Sequence, residues 1–267
     1  PTPRHIRSRH EARIPGPMKA MSSKPERVVI LGKTWMGVAV CVGGMVEATG
    51  KPVRLIPRHK GNHKSNTQFR VGEVWEMSLC PRDALVLPHM EDHDEWGARR
   101  VGEVADLVAY IKRVAKPHKG ELTGLFGGLL HVRSTGTAYL LRDGILPAFS
   151  VGFWICPRDL TYYAADSKHR YRMLQAGSLP GTKPVTSLSI PYVGHEPPVQ
   201  TIPAGALIRV SLARWWTNPH APDEGESCSL QLSGWFGLPA DAARVPLASP
   251  NLPFIPPRVE TEGDTPR

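Results

Sequence analysis

The chain of 267 residues is 41% apolar, enough for a substantial core, and its 27 prolines and 25 glycines favour many short strands joined by turns over an all-helical fold. No run approaches the roughly 18 consecutive apolar residues that span a bilayer, and the N-terminus lacks the apolar core of a signal peptide, so a cytoplasmic protein with no membrane contact is expected. The formal charge of +9 points toward anionic partners.

Residues 1–26 are basic, proline-bearing and aperiodic, and are expected to form a flexible arm, with Met18 or Met21 a candidate natural start. Strand signals follow closely. Val28–Leu31, Gly37–Val42 and Val53–Ile56 are β-branched runs separated by Gly43-Gly44 and Thr49-Gly50-Lys51 turns, the spacing of a meander. Trp75, Met77 and Leu79 then alternate with Glu76 and Ser78, which predicts one buried face and one wet face. Val101, Val104, Val108, Ile111 and Ala115 recur at helical steps, with Glu103 and Asp106 early and Lys112, Arg113 and Lys116 late, predicting an amphipathic helix over 97–116 that Pro117 ends.

Beyond it, Ala138–Leu141, Phe149–Cys156, Arg170–Leu174, Ser187–Val193, Ala206–Leu212 and Cys228–Trp235 read as strands, with surface loops around 177–184 and 218–227. Residues 239–267 hold seven prolines and are expected to be an extended tail. A faint internal repeat aligns Gly72–Leu79 with Gly205–Leu212, each preceded by a basic strand, Lys51–Ile56 and His169–Leu174. The resulting division is an arm at 1–26, a first barrel with its helix over 27–120, a second barrel over 121–238, and the tail.

The pieces Thr49-Gly-Lys-Pro-Val-Arg54, Pro88-His-Met-Glu-Asp92 and Ser233-Gly-Trp235, set among Val28–Gly32, Gly72–Met77 and Val210–Arg214, resemble the prokaryotic dual OB-containing domain family over roughly residues 27–238. The resemblance implies a mainly β (α+β) protein of two tandem OB-like β-barrels that bind nucleic acid, as partners of other proteins in bacterial or phage conflict systems. It lends no catalytic residue and does not cover the basic arm.

The positive charge is concentrated. Residues 1–27 hold seven Lys or Arg against two Glu, and Lys51, Arg54, Arg58, Lys60, Lys64 and Arg70 lie in a stretch with no carboxylate, joined by His59 and His63. Such a run suits a polyanion more than a merely solvated loop. OB-type barrels add aromatic platforms on which bases stack. The candidate contacts are therefore Lys51, Arg54, Arg58, His59, Lys60, Lys64 and Arg70, with Trp35, Arg170, Arg172, Arg214, Trp215 and Trp216. Adjacent Trp215 and Trp216 point opposite ways in an extended chain, so one of them is a candidate for exposure, whereas Trp75, Trp154 and Trp235 suit the core. The expected partners are RNA or single-stranded DNA, with docking on a larger protein complex as the alternative.

Other chemistry is weaker. Gly32-Lys33-Thr34 lacks the first glycine of a phosphate loop, where Arg27 stands, so nucleotide hydrolysis by that route is rejected. His89-Met-Glu91-Asp92-His93-Asp94-Glu95 departs from H-E-x-x-H and reads as a solvated acidic connector, a metal-dependent nuclease being the rival reading. Cys41, Cys80, Cys156 and Cys228 are widely spaced and read as reduced, and the recurrence of Cys80-Pro-Arg-Asp83 as Cys156-Pro-Arg-Asp159 fits strand ends opening turns. No catalytic residue, metal or cofactor is assigned.

Overall fold

The computed structural model describes residues 24–58, 61–165, 168–174, 187–219, 223 and 225–245. Most of the two arms therefore lies outside the described residues, as do His59 and Lys60.

The first half is built from β1 (Glu26–Met36), β2 (Ala39–Val46), β3 (Pro52–Pro57), the short β4 (His63–Lys64), β5 (Glu73–Pro81) and β6 (Asp92–Glu103). Their sheet order is β1-β5-β6-β3-β2-β4, and an additional β1–β2 pairing closes the five long strands into a barrel. The β3–β6 pair is parallel; the others are antiparallel. Alternation along the strands fills the barrel with Val28, Ile30, Val42, Leu55, Trp75 and Met77, as the Trp75–Leu79 pattern requires, and Phe69 joins them from the loop before β5; β1, β2 and β3 form the expected meander, but Gly43 and Gly44 lie inside β2 rather than in a turn. Gly44 keeps β1 and β2 close, because a Cβ there would fall 2.8 Å from the Val29 carbonyl oxygen.

The helix is shorter than the sequence suggests: α1 runs Leu107–Ala115, starting where the Asp106 carboxylate accepts from the Ala109 N–H at 2.9 Å and ending at left-handed Lys116 before Pro117. Residues 97–103 instead extend β6. Glu73 and Glu76 of β5 pair there with Arg100 and Arg99, at 2.9 and 2.8 Å, and the ladder continues to Glu103. The apolar period that predicts a longer helix is still used, since Val101, Val104, Leu107 and Val108 all pack in one cluster around Tyr110 and Ile111.

The second half comprises β7 (His118–Lys119), β8 (His131–Val132), β9 (Ala138–Leu141), β10 (Val151–Ile155), β11 (Leu160–Ala165), β12 (Lys168–Leu174), β13 (Ser187–Pro191), β14 (Thr201–Ile202), β15 (Leu207–Leu212), β16 (Trp216–Thr217) and β17 (Glu226–Phe236). Where a second closed barrel is expected, two sheets pack over one core. One is ordered β7-β10-β15-β17-β9-β8 with β16 on β17; the other is β13-β12-β11-β14. Trp154, Ile208 and Leu230 from the first meet Tyr171, Met173 and Ile190 from the second. Trp235 stacks on Tyr192 with ring centroids 5.1 Å apart. The internal repeat does not extend to topology: β3 lies in the same sheet as β5, whereas β12 lies in a different sheet from β15.

Main chain joins the halves. Past the bulge between Ile30 and Gly32, the end of β1 pairs with residues 193–195: the Trp35 N–H donates to the Val193 carbonyl and the His195 N–H to that of Lys33, both at 2.9 Å. The buried Arg209 of β15 lies against Gly32 and Gly43, where added Cβ atoms would approach its side chain to 3.0 and 2.5 Å. The outer face of β1 and β2 is thereby packed against the second half. No helix among the described residues is long and apolar enough to cross a membrane.

Candidate nucleic-acid interface

The parallel register of β3 and β6 sets Arg54 opposite Asp92. Their side chains bond directly, and the same Asp92 oxygen accepts from the Arg214 guanidinium at 2.6 Å. Arg54 is only 16% exposed and Asp92 9%. The expectation that Arg54 stands on an open face is therefore corrected: it is neutralised between the two halves. Lys51 and Arg58 flank the six-residue β3 and are roughly 20 Å apart. Arg58 stacks over Trp96 at 4.8 Å. Lys64 and Arg70 are exposed, on β4 and in the loop before β5. Of the described cations of 51–70, Arg54 is the one withdrawn from the expected open face.

The aromatic candidates divide. Trp35 is 37% exposed but stacks on His195 with centroids 4.6 Å apart. Trp215 donates its indole N–H to the Leu87 carbonyl at 2.8 Å, while Trp216 is 47% exposed, as their opposed directions require.

The 89–95 segment is not a solvated connector. His89, Glu91, Asp92, His93 and Glu95 are all buried: β6 begins at Asp92 between two partner strands, and His89 and Glu91 before it lie against Cys228 and Ser150 of the second half. Glu91 accepts from the Ser150 hydroxyl and N–H, and His93 Nδ1 lies 2.8 Å from the Glu91 carbonyl. Burial depresses the pKa of His89 and His93 and lowers that of His63 to about 4, while it raises those of Asp92 and Glu95. Among the described residues, no three His, Cys, Asp or Glu are arranged to hold a metal ion. The two Cys-Pro-Arg-Asp segments sit in different halves; burial pushes the Cys156 thiol up to about 11, leaving it protonated and inert.

Two surfaces remain with chemistry to offer. The first is the outward face of β11–β13. Lys168, Arg170 and Arg172 alternate with buried Tyr171 and Met173, so all three cations project away from the core. Across the ladder, Tyr163 faces Arg170, its hydroxyl 2.5 Å from Ser189 Oγ, which also accepts from Arg170 at 2.8 Å. The Arg172 guanidinium lies 4.6 Å over the Tyr163 ring. Strands β11–β14 contain no Asp or Glu, and among the described residues none of the three cations forms an ion pair. The sequence reading selects Arg170 and Arg172 but misses Lys168 and Tyr163, although the period-two run Lys168-x-Arg170-x-Arg172 is visible in the chain.

The second surface is a cleft of about 360 Å³ between the β5–β6 loop and Arg214. Arg82 and Arg214 stand at it, each about half exposed, paired with Asp94 at 3.2 Å and Asp92 at 2.6 Å. Sequence reasoning does not single out Arg82, and names Asp94 only within the rival metal-dependent reading of 89–95.

Comparison with family models, curated proteins and solved structures finds no match to the chain. The functional reading rests on fold and site geometry.

Proposed function

We propose that this protein is a non-catalytic nucleic-acid-binding module that holds single-stranded RNA or DNA, with little sequence preference, on the outward face of β11–β13. The observation that carries this reading is the line of Lys168, Arg170 and Arg172 on strands without a carboxylate. Three cations spaced about 6.6 Å apart match the repeat of a phosphate backbone, and the Arg172 guanidinium offers a plane on which a base can stack.

The closed first barrel supports the OB class to which the sequence resemblance points, five strands in a Greek-key closure. In OB barrels the face of strands two and three commonly takes the ligand. Here β2 and β3 lie against the second half through Arg209 and the Arg54–Asp92–Arg214 bridge, so the proposal moves the contact surface to β12.

Anisotropy of a labelled 12-nucleotide single strand, titrated over a range of salt, tests the reading. Three phosphate contacts predict a slope of log K against log salt near −2, following about −0.7 per contact for a single strand. Absence of binding at low salt would overturn it. A second reading, docking on a larger protein complex, is favoured by the exposed Trp35, Met36 and Val38 at the β1–β2 hairpin. Stoichiometric co-purification of a protein partner, lost in Val38→Asp, would favour that reading.

A further inference from the structure

We infer that Tyr163 makes the β12 face selective for unpaired bases: it holds the Arg172 guanidinium as a platform on which one base of a single strand stacks. The inference rests on the nucleic-acid reading of that face and names the positioning residue that sets its choice of single strand over duplex.

The ladder registers place the parts. Tyr163 of β11 lies opposite Arg170, and Ser189 of β13 lies opposite Arg172, on either side of β12. Tyr163 and Arg172 are therefore diagonal neighbours on one face, a separation that an aromatic ring and a long side chain can span. The Arg172 Cζ lies 4.6 Å over the centre of the Tyr163 ring, inside the roughly 6 Å reach of a cation–π contact. The Tyr163 hydroxyl extends across β12 to Ser189 Oγ, 2.5 Å away, so this hydrogen bond crosses the strand between Arg170 and Arg172. Arg170 donates to the same Ser189 oxygen at 2.8 Å. One tyrosine thus fixes both arginines, Arg172 through its ring and Arg170 through Ser189.

Burial separates the two ends of this arrangement. Ser189 is buried, whereas Arg172 is exposed, so the hydroxyls lie within the face and the guanidinium is its outer layer. Tyr163 covers one side of that guanidinium and solvent meets the other. A base stacks on a guanidinium plane as it does on an aromatic ring, and a side chain already held in place loses less freedom on binding. Thr161 and Thr201, both exposed, continue the row beside Arg172 and bring no opposing charge.

Such a platform needs an unpaired base. In a duplex the base faces are covered by their neighbours, so a duplex can use Lys168, Arg170 and Arg172 only as charges. Charge alone favours the duplex, which carries about twice the phosphate density of one of its strands along the axis. Preference for a single strand therefore reports the platform rather than the cations.

Anisotropy titration of the full chain at one low salt concentration tests this with three labelled probes: a 12-nucleotide thymidine strand, an abasic strand of the same length, and the thymidine strand paired with its complement. The abasic strand keeps every phosphate, so its difference from the thymidine strand measures base contact alone. The thymidine strand is expected to bind about tenfold more tightly than the abasic strand, the effect of one stacked base, and more tightly than the duplex. Tyr163→Leu is expected to bring the thymidine and abasic strands within about twofold of each other, while Tyr163→Phe, which keeps the ring, retains most of the ratio. A tyrosine that merely supported the sheet would weaken both strands alike and leave the ratio unchanged. Equal affinity of the parent for the thymidine and abasic strands, or an undiminished ratio in a folded Tyr163→Leu variant, would overturn the inference while leaving phosphate binding on β12 in place. Failure of all three probes to bind would overturn the nucleic-acid reading and this inference with it.

Discussion

The Arg214 guanidinium lies 2.6 Å from Asp92 Oδ2, although 122 positions separate the two in the chain. Asp92 opens β6 of the barrel and Arg214 follows β15 of the second half, so this contact, with Arg54 on the same oxygen, joins the halves. Removing Asp92 leaves Arg54 mostly buried and unpaired. Asp92→Ala is therefore expected to cost about 3–5 kcal/mol in urea unfolding, whereas Arg214→Ala, at a half-exposed position, costs about 1 kcal/mol or less. Equal losses in the two variants would contradict the asymmetry.

Tyr171 is expected to be intolerant of a change that leaves its ring intact. Its hydroxyl donates to the Val199 carbonyl at 2.8 Å and accepts from the Val199 N–H at 3.0 Å, and both residues are buried. Tyr171→Phe strands two backbone groups and should cost roughly 1–3 kcal/mol, read as a lower denaturation midpoint with an unchanged m-value.

Gly43 faces the Arg209 guanidinium so closely that a Cβ at this position would fall 2.5 Å from Nη2. Arg209 is buried and donates to Ser233 Oγ at 2.9 Å, so it has little room to retreat. Gly43→Val is expected to destabilise by about 1–3 kcal/mol, and pairing it with Arg209→Met should recover part of that loss in a double-mutant cycle.

Acid should weaken the fold through buried histidines. His63 has its pKa lowered to about 4, and burial lowers His89 and His93 too. Between pH 6.5 and about 4 the unfolded chain binds the His63 proton and the folded chain does not, so stability falls as pH falls, by roughly 3 kcal/mol for this group at 1.36 kcal/mol per unit. Asp92 and Glu95, raised by burial, act in the opposite sense: their contribution is full below the ordinary carboxylate pKa and is lost as pH rises through the raised value. Thermal midpoints from pH 7 to 4 should therefore decline, less steeply in His63→Gln; a rise on acidification would contradict this.

Much of the barrel was legible because period-two alternation at Trp75, Met77 and Leu79 reports burial directly. The helix start was not, since Val101 and Val104 satisfy a helical period while cross-strand Glu73 and Glu76 hold 97–103 in β6. Arg54 was placed correctly on a strand, but its neighbour Asp92 comes from a parallel strand 38 residues away, and local sequence carries no trace of that pairing. The same gap made the 89–95 carboxylates look solvated. Lys168, by contrast, could have been found, for the alternation that exposes Arg170 and Arg172 exposes it too.

The most direct measurement is the affinity of a labelled single strand for the parent chain and for the Lys168→Glu, Arg172→Glu double variant, at one low salt concentration and with folding checked by thermal midpoint. Both side chains are exposed and neither forms an ion pair among the described residues, so stability should change by no more than about 0.5 kcal/mol. Affinity is expected to drop at least tenfold. Undiminished binding by a folded double variant would show that nucleic acid is not held on β12.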